Sequence, residues 1–222
     1  MSDSTERNKL KINEIFYSLQ GESKTVGLPT IFIRLTGCPL RCSYCDTEYA
    51  FKEGEWLHFE SIFKKIEQYN TPYITVTGGE PLAQKACENF LIQLSDKGYQ
   101  VSLETSGAMN VAGVDPRVMK VMDIKTPSSN EQDKNKFSNI EFIDSDDQIK
   151  FVIGNREDYD WSTEILSKYK LTEKCEVLFS PVNLTSTSSF AQALAEWILE
   201  DQLQVRFQIQ LHKFIWGDIP GV

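Results

Sequence analysis

The chain has 222 residues, 41% apolar and 25% charged, an ordinary globular composition with enough apolar material for one large core. Its net charge of −9, with Lys and Arg scattered rather than striped, argues against a broad nucleic-acid surface. No long apolar run predicts a membrane span, and the polar opening MSDSTERNKLK lacks the apolar centre of a signal peptide, so reduced thiols in the cytosol are expected rather than a disulfide framework.

One domain over residues 1–222 is expected, opening with a polar tail at residues 1–11. Residues 30–36 (TIFIRLT) read as the first strand and run directly into GCPLRCSYCDT at 37–47. Phe59, Ile62, Phe63 and Ile66 repeat at i, i+3, i+4 and i+7, which predicts a helix with one buried stripe. Residues 73–77 (YITVT) form a β-rich run broken by GGEP at 78–81; Cys87, Phe90, Leu91 and Leu94 then predict a second helix, ended by Gly98. Further strands are predicted at 100–104, 118–124, 148–153, 176–180 and 204–210, with helices at 157–169 and 188–201. The segment KTPSSNEQDKNKFSN at 125–139 is polar and reads as a mobile excursion. Strand followed by helix, repeated along the chain, indicates parallel pairing with right-handed crossovers, in either an open doubly wound sheet or a barrel, complete or partial. The loops after the strands then gather at one end, and every unusual motif here follows a strand.

Cys38, Cys42 and Cys45 are spaced C-x3-C-x2-C with no fourth cysteine nearby. A structural zinc site wants four ligands, usually from paired C-x2-C knuckles. His212, Cys87 or Cys175 would complete one only by chance folding, and Cys87 on a helical apolar stripe and Cys175 opening a strand read as core thiols. Three unrelated buried thiols is the plain alternative, although buried cysteines rarely cluster in a loop. An iron–sulfur cluster accounts better for the pattern, because thiolates are its natural ligands and three of them leave one of four irons open to a small molecule.

This cysteine spacing after one strand, followed by GGEP after the next, resembles the radical S-adenosylmethionine superfamily. Gly78 and Gly79 let backbone approach a ligand, and Glu80 offers a carboxylate to order that loop. Closer still, EIFYSLQGES at 14–23, FIRLTGC at 32–38, CDT at 45–47 and QLHKFIWGDIPGV at 210–222 resemble the 7-carboxy-7-deazaguanine synthase family, from about Ile12 to the last residue. The resemblance implies an α/β fold, an incomplete TIM-like barrel of parallel strands with flanking helices. It also implies a 4Fe–4S cluster on Cys38, Cys42 and Cys45, S-adenosylmethionine on the open iron, and conversion of 6-carboxy-5,6,7,8-tetrahydropterin to 7-carboxy-7-deazaguanine with loss of ammonia.

Carried over position by position, the resemblance places Tyr44, Cys45, Asp46, Gly79 and Glu104 at S-adenosylmethionine, with Tyr44 beside the adenine. Asp123, Ile124 and Lys125 stand where the family often has Ser-Pro-Lys, so only the lysine matches; Ser180, Pro181, Val182 and Asn183 stand near a common Gln-Pro, with the proline retained. Leu19, Gln20, Gly21, Arg34, Thr77, His212 and Val222 would hold the pterin, Arg34 pairing with its carboxylate as a planar fork of donors. Thr47 would give an oxygen to Mg2+, a hard cation. No catalytic side chain beyond cluster and cofactor is implied. The implied partners are the small pterin, an external flavodoxin-like electron donor and a second copy in a homodimer, with neither nucleic acid nor membrane. The rivals are a glycyl-radical activase, whose cysteine spacing can be the same, and a non-catalytic zinc-binding module.

Overall fold

Strands whose alternate residues are apolar on one face and polar on the other need a layer of helices on the first face only. In the computed structural model, which describes residues 8–182, 189–217 and 219–222, that rule organises the whole molecule. The strands are β1 (Lys9–Leu19), β2 (Pro29–Leu35), β3 (Glu55–His58), β4 (Tyr73–Gly78), β5 (Gln100–Thr105), β6 (Met119–Ile124), β7 (Gln148–Ile153), β8 (Glu176–Pro181) and β9 (Arg206–Phe207). They form one sheet in the order β3-β1-β2-β4-β5-β6-β7-β8-β9. From β2 across to β9 every pairing is parallel, whereas β1 runs antiparallel to both β2 and β3. β3 and β9 are edges with no mutual pairing, so the barrel is partial, as the resemblance implied.

The crossover helices α1 (Phe59–Ile66), α2 (Cys87–Asp96), α3 (Arg156–Tyr169) and α4 (Ser189–Glu200) cover the outer face, and a short α5 (Leu211–Trp216) follows β9. No helix among the described residues is long and apolar enough to cross a membrane. Two apolar clusters lie between sheet and helices. In the first, Ile31, Ile33, Leu35, Ile74, Val76 and Leu103 meet Phe59, Phe63 and Phe90 of α1 and α2. In the second, Met122, Ile124, Ile149, Phe151, Val177 and Phe179 meet Tyr159 and Ile165 of α3 and Leu194 and Ile198 of α4. The alternate residues Arg34, Thr77, Glu104, Asp123, Lys150 and Ser180 face the other way and line a cleft inside the partial barrel.

Three expectations change. The polar tail predicted at 1–11 is shorter, because β1 begins at Lys9 and Leu10 is fully buried; pairing with β2 and β3 outweighs the flanking lysines. The strand predicted at 204–210 shrinks to two residues. The segment 125–139 is folded into tight 3-10 turns at Pro127–Ser129 and Gln132–Lys134, and a third begins at Phe137. Its polar residues bond backbone: Asn135 Oδ1 accepts from Lys125 N at 2.8 Å, and Asn139 Nδ2 donates to the carbonyls of Gly107 and Met109.

Candidate active site

The cleft has a volume of about 250 Å³ and opens where the parallel strands end. β2 delivers the cysteine loop to its wall, and Cys38, Cys42 and Cys45 all line it, each partly exposed. Burial pushes the Cys38 thiol up, and the Cys42 thiol up to about 11. The GGEP turn is pressed against the entry to this loop. Gly79 N donates to the Leu35 carbonyl and Glu80 N to that of Gly37. A Cβ on Gly79 would meet Gly37 O at 2.3 Å and Cys38 Cβ at 2.9 Å, so no larger residue fits. Glu80 is fully buried, and its carboxylate accepts from Leu82 N, Thr105 Oγ1, Ser106 N and Ser106 Oγ at 2.5–3.0 Å. It thereby bolts the β4 loop to the end of β5.

The donor set suits a polynuclear cluster. Three thiols share one wall, while Cys87 and Cys175 are buried in the two apolar clusters. Among the described residues no group of three or more Cys, His, Asp or Glu side chains is already gathered to hold a metal ion.

The same cleft carries a cluster of charged side chains. Lys150 Nζ is 2.5 Å from Glu22 Oε2 and 3.9 Å from Asp123 Oδ2, which also holds Lys125 Nζ at 3.1 Å. Burial penalises the charges on Glu22, Lys125 and Lys150. For Glu22 burial is offset by Lys150 together with Gln210 and His212, which hold the carboxyl below its usual range, and the acidic neighbours likewise raise Lys125 and Lys150 against burial. Asp123 Oδ1 is buried and has no hydrogen-bond partner among the described residues, which leaves an acceptor for a ligand donor. Glu104 is raised, first by burial and then by Glu22. It accepts from Thr77 Oγ1 at 2.8 Å and from Gln20 Nε2 at 3.4 Å. The same Gln20 nitrogen donates to Thr75 Oγ1, so the Gln20 amide is largely committed inside the protein and orders Glu104.

Arg34 has a built socket. Register sets Glu14 directly opposite Arg34 and Phe16 opposite Phe32, because an irregularity between Ile12 and Glu14 switches which face of β1 points inward. Arg34 Nε donates to Glu14 Oε1 at 2.7 Å, that oxygen also accepts from Tyr49 OH at 2.9 Å, and the guanidinium sits 5.6 Å from the Phe16 ring and 5.8 Å from that of Tyr49. At the far rim, His212 rests on Gly21, where a Cβ would lie 2.0 Å from His212 Nδ1. Burial lowers the His212 pKa. Lys213 Nζ reaches Asp46 Oδ2 at 2.8 Å; burial pushes the Asp46 carboxyl up, but Lys213 and Gln210 more than offset it and hold it at about 2. Thr47 Oγ1 donates to Asp46 Oδ1 at 3.4 Å, and Tyr44 OH lies 3.3 Å from Thr126 Oγ1.

Leu19, Pro181, Val182 and Val222 also line the cleft, so the positions carried over from sequence converge there with two exceptions. Ile124 alternates away from Asp123 and is buried in the second core cluster, so its side chain does not face the cleft. Asn183 lies outside the described residues. Sequence reading did not single out Glu14, Glu22, Tyr49 or Lys150. The available signal for Lys150 was a lone charge at an inward position of QIKFVI.

The family model of the radical S-adenosylmethionine superfamily matches residues 32–124. A 7-carboxy-7-deazaguanine synthase of Koribacter versatilis is 41% identical over 93% of this chain and 97% of its own, and one of Chlorobaculum tepidum is 40% identical over 96% and 97%. Among solved structures, QueE from Escherichia coli superposes with a TM-score of 0.75 at 24% identity, over 92% of this chain and 95% of that one, which supports the partial-barrel fold. These relatives do not favour the glycyl-radical activase or the zinc module. With the thiol wall and GGEP turn in place, and full-length relatives at this identity, the chain belongs to the 7-carboxy-7-deazaguanine synthase family of the radical S-adenosylmethionine superfamily.

Proposed function

We propose that this chain converts 6-carboxy-5,6,7,8-tetrahydropterin to 7-carboxy-7-deazaguanine with loss of ammonia, a step toward queuosine and related bases. The observation that carries this reading is the meeting, in one cleft, of the three cysteine thiols with Arg34, Glu104 and His212. When bound, a 4Fe–4S cluster and S-adenosylmethionine supply the radical that removes a hydrogen atom from substrate. The chain's own work is positioning. Arg34 offers its two terminal nitrogens to the substrate carboxylate, since its Nε is taken by Glu14. Leu19, Gln20, Gly21, Thr77, His212 and Val222 surround the pterin, and Glu104 accepts from S-adenosylmethionine. Tyr44, Asp46, Gly79, Asp123 and Lys125 hold S-adenosylmethionine, the unpartnered Asp123 Oδ1 accepting one of its donors. Thr47, beside Asp46, would supply an oxygen to Mg2+, and the ion would contribute charge stabilisation in the substrate pocket. A homodimer in the cytosol, reduced by a flavodoxin-like donor, completes the proposal. The test is an anaerobic assay of reconstituted protein with S-adenosylmethionine, reductant and the pterin, in which 7-carboxy-7-deazaguanine forms; Cys42→Ala should abolish both product and S-adenosylmethionine cleavage. Product formation by that variant would refute the ligand assignment.

A further inference from the structure

The cysteine loop is short, and its backbone between Cys38 and Cys45 makes few bonds of its own: Cys45 N to the Cys42 carbonyl at 3.2 Å, and the Arg41 guanidinium to the carbonyls of Cys38 and Leu40. Much of its remaining support comes from one place, the turn segment 126–131. Arg41 N, just before Cys42, donates to Glu131 Oε1 at 2.5 Å. Just after Cys42, Ser43 N donates to the Ser129 carbonyl at 3.1 Å and Ser43 Oγ to the Ser128 carbonyl at 2.5 Å. Tyr44 OH and Thr126 Oγ1 are 3.3 Å apart. The backbone on both sides of the middle cysteine is thus held from outside the loop.

The turn segment is itself anchored. Asp158, in the first turn of α3 and fully buried, accepts from Ser128 N at 2.8 Å, from Ser128 Oγ and from Gly154 N at 2.8 Å. Thr126 Oγ1 donates to the Val152 carbonyl at 2.8 Å, and Ser129 Oγ to that of Thr126 at 2.6 Å. A rigid chain of bonds therefore runs from α3 and β7, through the segment whose composition suggested mobility, to the residues flanking Cys42.

We infer that residues 126–131 form a brace for the cluster-binding loop, with Glu131 and Asp158 as positioning residues that set the place of the Cys42 thiolate. Neither carboxylate lines the cleft, so each acts through the loop rather than on a ligand. The inference rests on the cluster reading but makes a claim about the cluster-free chain as well: the brace exists before iron arrives, so the loop is preorganised.

Two measurements on the full chain test it. In cluster-free protein, hydrogen exchange of the Arg41 amide should be protected, and Glu131→Ala should remove that protection while leaving the Ser43 amide protected. After anaerobic reconstitution, iron release to a chelator should be about two- to tenfold faster in Glu131→Ala, the range of one net hydrogen bond. Glu131→Gln, which keeps an acceptor oxygen, should restore most of the difference. Asp158→Asn should expose both amides; because Asp158 is buried and that variant is open to misfolding, the Glu131 pair carries the decision. Unchanged Arg41 exchange and unchanged iron release in Glu131→Ala would overturn the brace alone. A wild-type chain that takes up no iron would instead overturn the cluster, and the inference with it.

Discussion

Replacing Arg34 by lysine separates a binding role from a merely structural one. The Arg34 side chain is 14% exposed and that of its partner Glu14 22%, so the pair is only lightly screened by solvent. With Nε bonded to Glu14 at 2.7 Å, both terminal nitrogens make no hydrogen bond among the described residues and remain for a carboxylate. Lysine has one ammonium, which must serve either Glu14 or the ligand. Losing one charge-assisted bond to substrate costs about 1.5–3 kcal/mol, so KM for the pterin should rise about 10- to 150-fold. The fold suffers less: the two ring contacts at 5.6 and 5.8 Å contribute about 0.5–1 kcal/mol each, which in a chain of this size lowers Tm by about 2–8 °C. Substrate-free cleavage of S-adenosylmethionine should stay within about twofold, because Arg34 is not among the residues assigned to that cofactor. The assay is anaerobic steady-state kinetics with product and 5′-deoxyadenosine measured in parallel. A KM close to wild type, or equal losses in both products, would refute the socket argument.

Glu104→Gln should raise Tm near pH 7, because burial disfavours the folded-state carboxylate. A raised carboxyl pKa means the penalty is present when the group is charged and fades as pH falls through the folded value, so the gain over wild type should shrink toward the unfolded pKa of 4.5; a gain independent of pH would contradict this. Lys213→Met should move the Asp46 carboxyl up from about 2, as read by carbon-detected NMR titration, yet change stability by less than ~1 kcal/mol, since Asp46 is 45% exposed. Gly21→Ala should push the His212 ring aside and cut turnover roughly a hundredfold with little loss of fold, the usual penalty for a 1 Å misplacement near the chemistry; a shift in Tm with intact turnover would show that His212 has room to adapt. Glu80→Gln places an amide N–H against the hydroxyl and backbone donors of the β5 loop and should destabilise by about 2–3 kcal/mol in urea titrations.

The crossover strands and helices were legible because their apolar periodicities are undisturbed: β7 falls at 148–153 as read, and α1 carries the stripe of Phe59, Ile62, Phe63 and Ile66. β1 was not, because KLKINEIFYSL changes its inward face midway and carries charges that serve as partners, Glu14 for Arg34 among them. The cysteine spacing and GGEP announced the chemistry in a dozen residues. What no local pattern reveals is pairing across the barrel. Glu22 and Lys150 lie 128 positions apart, and each looks alone in its own segment. Likewise the segment 125–139 read as mobile because a polar composition does not say whether its side chains face water or backbone. Here Ser129 and Asn139 are fully buried and bonded.

The two apolar clusters meet at the β5–β6 pairing, one packing against the strands up to β5 and the other against those from β6 onward. The thiols, Arg34 and Glu104 hang from one half, while Asp123, Lys150 and Ser180 hang from the other. Any molecule lying across the cleft therefore adds to the direct ties between the two sides, Lys150 to Glu22 among them. By mass action its binding free energy adds to the stability of the folded chain, tightening an open-edged barrel whose backbone pairing is already continuous.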